Sequence, residues 1–412
     1  VSRWPVRRLG RVAKTISGSG FPHEYQGRET GEIPVVKVSD LHRDDNASGV
    51  SNSANYVSRA EAKILGLRLV PSGSIVFPKV GAALLGNARA LTLRDCVLDN
   101  NMMAVAPREG DARFWKYALS LVDLGEFSGS GPLPFVSDSQ VRDLVIPFPP
   151  PDAQRRIADF LDVETERIDR LIGARRRMRE LLVAKRERTV ERVLGLESGI
   201  AMLPLKYMVQ SVGVGIVIRP SDWYVDGGGV FALRGLNVRP GRVETADLVQ
   251  ISHDGHRENR KSQILAGDVV VVRTGQAGAA AVVPNEFDGC NCIDLLIIRP
   301  GSRVSSQFLA HYINSSYAQR NISEESVGSI QAHFNVSSMK QLDFPSLTIK
   351  EQERRAAEVD GSVGDLDALD LQLKKQIDLL SERRQALITA AVTGQIDATT
   401  AREFAPRHRS AA

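Results

Sequence analysis

The chain has 412 residues, 42% of them hydrophobic and 25% charged, with a formal net charge of +4 and a pI near 9.0. That composition fits a globular protein of two or three domains and excludes a low-complexity or fibrous chain; the mild basic excess permits an acidic partner such as nucleic acid without requiring one. Three cysteines, Cys96, Cys290 and Cys292, exclude a disulfide framework, and a reducing cytoplasm is the expected compartment.

The opening VSRWPVRRLG is followed by no apolar run of signal-peptide length, and no stretch is long enough to span a bilayer, so a non-exported, membrane-free protein is expected. Up to residue 150, short β-rich runs such as SIVFPKV alternate with Gly, Pro, Asn and Ser clusters, and one helical pattern lies near FWKYALSLV. This reads as an α+β domain. Pro149, Pro150 and Pro151 then block helix, Asp152 is a candidate N-cap, and a proline-free stretch rich in Glu, Arg, Leu and Ala predicts one long helix over 151–198.

The same order then repeats. VVVVRTG and DLLIIRP mark a second α+β domain over 199–348, Thr348 and Glu351 form a capping-box pattern, and a second long helix is predicted over 349–396. PFPPPDAQRRIADFLD from Pro147 aligns without gaps on PSLTIKEQERRAAEVD from Pro345, WPVRRLGRVA from Trp4 resembles LPLKYMVQSV from Leu203, and PSGSIVFPKVG from Pro71 resembles LAGDVVVVRTG from Leu265. The chain is a duplicated two-part module, ending in a tail over 397–412 that reads as disordered.

In the first helix Leu161, Ile168 and Leu182 follow a seven-residue repeat interrupted by Arg175, with Ile157, Leu171 and Met178 on the complementary line. In the second, Leu366, Leu373, Leu380 and Leu387 repeat without a break, flanked by Val363 and Ile377, with Asp370 and Arg384 as polar exceptions. These are a/d seams. One such helix alone reads as an oligomerisation strut; two matched copies in one chain predict an intramolecular antiparallel coiled coil with pseudo-twofold symmetry.

Enzyme signatures do not appear: no phosphate-binding Gly-x-x-x-x-Gly-Lys loop, no nucleophile elbow, and no catalytic residues are assigned. His253 and His256 flank a turn-like Asp-Gly, and the Cys290/Cys292 pair lacks a second pair or a nearby His, so no metal ligands are assigned.

Two variable α+β domains, each followed by a helix opening P-x-x-x-x-x-x-Q-x-R (Pro147 to Arg156 and Pro345 to Arg354), together with KEQERRAAEVD and the C-terminal ERRQALITAAVTGQID, resemble the specificity subunit of type I restriction-modification systems. The first copy departs from the pattern, with Asp152-Ala153-Gln154 and ERVLGLESG in place of a Thr-Gly ending. The resemblance implies two target recognition domains that each read one half of a bipartite, asymmetric site in double-stranded DNA, with the helices fixing the spacer. It also implies docking of two methyltransferase (modification) subunits, which carry S-adenosylmethionine chemistry while this chain holds no cofactor, and of an endonuclease/translocase subunit. A protein-binding coiled-coil scaffold without DNA readout is the alternative.

Base reading needs long polar side chains presented near close-approaching backbone. The candidates are Lys79, Asn87 and Arg89 after the first strand-Gly element, and Arg273, Thr274 and Gln276 after the second. Ser130 lies in one Gly-rich loop, and Gln331, His333 and Asn335 lie in the equivalent one; Lys37 and Arg234 hold matching places for phosphate.

Overall fold

The computed structural model describes residues 2–46, 48–127, 133–197, 199–274, 277–326 and 335–397. Contacts divide the chain into two compact units, Val1–Ala174 with Gln376–Ala412, and Arg175–Lys375. Each long helix therefore contributes one half to each unit.

In the first unit, strands β1 (Val6–Arg8), β2 (Ala13–Ser17), β3 (Ile33–Val36), β4 (Tyr56–Val57), β5 (Ile75–Pro78), β6 (Ala90–Leu91), β7 (Val97–Leu98), β8 (Met102–Pro107) and β9 (Val145–Pro147) form three sheets. Their orders are β2-β8-β5-β6, β4-β3-β7 and β1-β9, antiparallel except for β3 beside β7. Its helices include α1 (Ala112–Ser120), α2 (Asp138–Asp143) and the first half of α3 (Pro151–Leu194), besides the short Leu9–Val12, Arg59–Ile64 and Ala82–Leu85.

The second unit repeats this wiring and adds to it: Tyr224–Val225 pairs beside Val249–Ile251 as a fourth strand of the second sheet, and Val238–Arg239 pairs with Arg242–Val243 as a separate two-stranded sheet. Strands β10 (Met202–Pro204), β11 (Ser211–Val214), β12 (Val230–Leu233), β13 (Val249–Ile251), β14 (Val269–Val272), β15 (Ala280–Val282), β16 (Asn291–Cys292), β17 (Leu295–Arg299) and β18 (Asp343–Pro345) pair as β11-β17-β14-β15, β13-β12-β16 and β10-β18, with β12 parallel to β16. Its helices include α4 (Ser306–Ile313), α5 (Val336–Gln341) and α6 (Ile349–Thr393), besides His253–Glu258 and Ser316–Ser326. Both units are α+β, as the sequence predicts.

The unbroken apolar runs have a simple cause: each four-stranded sheet is covered on both faces. Successive side chains of a strand point to opposite faces, so Ile75, Phe77, Met103 and Val105 join the core shared with the helices, while Val76, Met102 and Ala104 join the core under β3. In the second unit Val269, Val271, Leu296 and Ile298 take the helix side, and Val270, Val272, Leu295 and Ile297 the other.

Register corrects one alignment. Leu9 and Leu205, both fully buried, donate their N–H groups to the carbonyls of Leu144 and Leu342, and β1 pairs Val6 with Pro147 as β10 pairs Met202 with Pro345. Trp4 therefore does not correspond to Leu203; the similar prolines Pro5 and Pro204 pulled the sequence match three residues out of phase.

A buried glutamine explains the repeated helix opening. Gln154 and Gln352 are both 0% exposed. Gln352 Nε2 donates to the carbonyls of Arg303 (3.0 Å) and Leu347 (2.9 Å), and its Oε1 accepts the N–H of Ser305 (3.0 Å), the N-cap of α4. Gln154 donates to Pro149 O (2.9 Å) and accepts the N–H of Asp111 (3.1 Å), the N-cap of α1. One amide thus ties the start of each long helix to the start of a domain helix. Asp162 and Asp360, eight residues on, grip those same helices through Arg113 and Tyr117 (2.8 and 2.7 Å) and through His311 (2.8 Å).

The helix starts differ from expectation in detail. Pro151 itself is the first residue of α3, and Pro150 O accepts the N–H groups of Ala153 and Gln154, so Asp152 is not the N-cap; proline fits there because a first-turn residue has no N–H bond to lose. Thr348 Oγ1 does accept the Glu351 N–H (3.4 Å), but the Glu351 carboxylate turns to Arg354 and Arg355. At the far ends Gly195 and Gly394 both take positive φ, +79° and +75°. The Leu-Gly of the first copy thus does the work of the Thr-Gly of the second.

In the first unit Leu161 packs with Leu387, Ile388, Ala391 and Val392, and Arg384 bonds Asp169 at 2.9 Å. In the second, Val190, Val193 and Leu194 pack with Ala356, Val359 and Val363, and Arg179 meets Asp370 (2.7 Å) and Arg186 meets Asp367 (2.9 Å). Partner numbers fall on α6 as they rise on α3, so the helices run antiparallel.

The seam on α6 is as expected: Val363 and Leu373 are buried, and Leu366, Ile377, Leu380 and Leu387 half-buried. On α3, Leu161 and Ile168 are buried and Leu182 half-buried, whereas Leu171 (39% exposed) and Met178 (50%) lie off the seam. The inward line runs one residue later, through Thr165, Ile172, Arg179 and Arg186. The side chains facing α6 there include arginines that meet its aspartates, so hydrophobicity alone points to the wrong line.

Candidate nucleic-acid interface

The strand-then-glycine elements occupy equivalent places. β5 runs into Lys79-Val80-Gly81 and β14 into Arg273-Thr274; Gly275 and Gln276 lie outside the described residues. Lys79 is half-buried, its N–H donating to Asn101 O (2.8 Å) and its carbonyl accepting from Val136 (3.0 Å). Burial, and then the nearby charge of Arg68, hold its ammonium below the usual lysine pKa. Arg273 Nη1 bonds Asp294 Oδ1 (2.8 Å) while Thr274 Oγ1 donates to Asp294 Oδ2 (2.7 Å), so one carboxylate sets both side chains.

Lys37 and Arg234 also match. Each precedes a 3-10 turn and donates its own N–H to a side chain three residues on, Lys37 to Asp40 (2.8 Å) and Arg234 to Asn237 (3.0 Å). Lys37 Nζ reaches Gln26 Oε1 (3.0 Å) and lies 5.5 Å from the Phe21 ring centre; Arg234 Nη2 donates to Asp247 O (2.6 Å).

Asn87 and Arg89 serve the fold. Arg89 lies over the Phe77 ring at 5.2 Å and donates to the carbonyls of Ala88 and Val122 (both 3.1 Å) and to Asn87 Oδ1 (2.6 Å). Burial pulls its pKa down to about 10, which still leaves it charged at neutral pH. Asn87, at φ +50°, donates to Val122 O and accepts from the Leu124 N–H. The pair clasps a turn, with both side chains half-buried. Asn335 caps α5, accepting the Ser338 N–H at 2.9 Å, as Ser137 caps α2. Ser130, Gln331 and His333 lie outside the described residues.

Sequence reading missed a basic hollow in the first domain. Lys14, Arg68, Arg108 and Arg142 line a concavity of about 360 Å³ together with Asp138. The convergence depends on register: Lys14 on β2 sits opposite Ala106 on β8, and the N–H of Arg108 donates to Val12 O at 3.0 Å. No spacing rule connects positions so far apart in sequence.

The residues weighed for metal chemistry are engaged otherwise. Cys290 and Cys292 are both buried and their thiols are pushed up, burial being the leading cause in each case; neither is a ready thiolate ligand. His253 and His256 fall on a short helix, His253–Glu258, capped by Ser252, not on the turn their Asp-Gly suggests, and the ring of His256 contacts Asn291 and Gln263.

With this geometry in place, the likenesses to known proteins are informative. Residues 2–174 match the family described as type I restriction modification DNA specificity domain. Over 96% of its length and 86% of the relative's, the chain is 20% identical to the type I restriction enzyme EcoBI specificity subunit of Escherichia coli. Over 173 residues, 40% of this chain and 36% of the relative, it is 28% identical to the type I restriction enzyme StySPI specificity subunit of Salmonella potsdam. A solved structure described as "Structural basis underlying complex assembly and conformational transition of the type I R-M system" aligns with a TM-score of 0.69 at 17% identity, covering 95% of this chain and 98% of that one, and shares the fold. Residues 2–174 thus carry the DNA specificity domain of type I restriction-modification systems. Over nearly its whole length the chain is similar to the specificity subunits of those systems.

Proposed function

We propose that this chain is the non-catalytic, sequence-reading subunit of a type I restriction-modification complex, in which the domains over 1–150 and 199–348 each read one half of a bipartite, asymmetric DNA site. The observation that carries this reading is the duplication: two domains whose main four-stranded sheets share one strand order, each bringing a basic residue, Lys79 or Arg273, to the same strand end. Lys37, Lys79, Arg234, Arg273, Thr274 and Asn335 are the described candidates for DNA contact, with Gln276, Ser130, Gln331 and His333 as further candidates.

The helices α3 and α6 act as the ruler for the unread spacer. At 44 and 45 residues they extend about 66 Å at 1.5 Å per residue. Two methyltransferase subunits, which bring S-adenosylmethionine, and an endonuclease/translocase subunit complete the cytoplasmic complex. The exposed apolar side chains of Met178 (50%) and Leu181 (71%) on α3 suit a methyltransferase contact.

Methylome sequencing of cells with and without the gene tests the reading. A split motif that appears only with the gene supports it. A continuous motif, or no change while the subunits are expressed, contradicts it.

A further inference from the structure

We propose that Lys14, Arg68, Arg108 and Arg142 form a backbone-phosphate cradle, a sequence-blind contact that seats the first domain on duplex DNA and has no full counterpart in the second. The assignment rests on the DNA-reading function proposed above.

Charge balance is the first reason. Four cations line the hollow against one carboxylate, Asp138, which is 3.9 Å from Arg142. Among the described residues no carboxylate pairs with Lys14, Arg68 or Arg108. Like charges gathered around one concavity repel each other, and an anion seated there relieves the repulsion. The lowered pKa of neighbouring Lys79, to which the charge of Arg68 contributes, is the same field felt from one side.

The wall chemistry identifies the anion. No apolar side chain larger than Ala13 lines the hollow. The centre of a protein–protein contact is instead rich in aromatic and aliphatic anchors. Guanidinium groups, with Thr15 beside them, suit phosphate oxygens, which accept most of the sequence-independent bonds a protein makes to DNA.

The second domain shows what is specific to the first. By strand register Ser211, opposite Arg299, stands in the place of Lys14 opposite Ala106. Gly301 follows Pro300 as Arg108 follows Pro107. Ser262 lies two residues before Ile264, whose N–H bonds Cys290 O as that of Val70 bonds Cys96 O, so it replaces Arg68. Only Arg142 keeps a cationic counterpart, Lys340 on α5. Such an asymmetric grip leaves the first half-site held more by charge than the second.

The test uses the full chain with its methyltransferase subunits, as wild type, as Arg68→Gln with Arg108→Gln, and as the charge-retaining Arg68→Lys with Arg108→Lys. Affinity for a mixed-sequence duplex and for a duplex carrying the recognised site is measured against salt. The slope of log K on log salt is expected to become shallower by about 2 in the Gln variant, about 1 per lost contact. The ratio between the two duplexes should stay unchanged, and the Lys variant should restore the slope. Lys14→Gln, at an exposed position, leaves folding intact and should change the slope by about 1.

A wild-type slope in Gln variants with native circular dichroism overturns the cradle. The same slope with loss of the co-purified methyltransferase subunit also overturns it and assigns the hollow to a protein partner. Absence of salt-dependent binding to any duplex by the wild type refutes the DNA-reading function itself.

Discussion

Replacing Gln352 by Met tests how the long helices are attached. Met fills a similar volume, so the change removes hydrogen bonds without opening a cavity. Three backbone groups lose their partner: the carbonyls of Arg303 and Leu347 and the N–H of Ser305. An unsatisfied buried group costs about 1–3 kcal/mol, and the lower end applies where a carbonyl can turn toward water, giving about 3 kcal/mol in total. Gln154→Met strands two such groups, Pro149 O and the Asp111 N–H, for about 2 kcal/mol. A chain of two units need not melt in one transition, so hydrogen-exchange mass spectrometry is the better assay. The loss should centre on α4 and the start of α6 for Gln352, and on α1 and the start of α3 for Gln154. Equal protection of wild type and Gln352→Met would refute the reasoning, as would a Gln154 loss larger than the Gln352 loss.

Ile172→Ala, at a position 7% exposed, should cost about 2 kcal/mol or more, whereas Met178→Ala should stay within about 0.5 kcal/mol; urea melts decide whether the inward line is placed correctly. Burial holds the His311 imidazole below the usual histidine pKa, although Asp360 pulls the other way. The unfolded chain therefore binds the proton more readily, and the stability contributed by neutral His311 is present above the ordinary histidine pKa and lost as pH falls through the lower folded value. Melts of His311→Gln should show a flatter acid limb than wild type. Arg273→Ala should cost about 1–3 kcal/mol of discrimination at one base if Arg273 reads a base; equal weakening on every duplex in titrations would make it a phosphate contact.

Much of the architecture was legible because it rests on local chemistry. Three consecutive prolines and a change to helix-forming residues placed α3 within a few residues of its observed end, and the repeated Q-x-R stretch announced the duplication. The seam was half legible. Leu171 and Met178 carry the heptad by hydrophobicity, but Asp367 and Asp370 on α6 meet Arg186 and Arg179, and a one-dimensional reading does not weigh a partner about 190 residues away.

The interface was the least legible part for the same reason. Arg89 looked like a free cation beside a glycine loop, yet the Phe77 ring and the Val122 carbonyl claim it. Arg273 and Thr274 share Asp294, some twenty residues downstream. Lys14, Arg68, Arg108 and Arg142 meet only once β2 and β8 are in register. Adjacency in a sheet is set by pairing, and the sequence does not display it.

The most direct test of a two-headed reader set by helical rulers is to insert one heptad at matching positions of α3 and α6 and sequence the methylome. Seven residues preserve the seam and add about 10 Å, the length of about three base pairs. The account predicts both half-sequences unchanged and the spacer between them longer by about three base pairs. An unchanged spacer, with methylation intact, would contradict it.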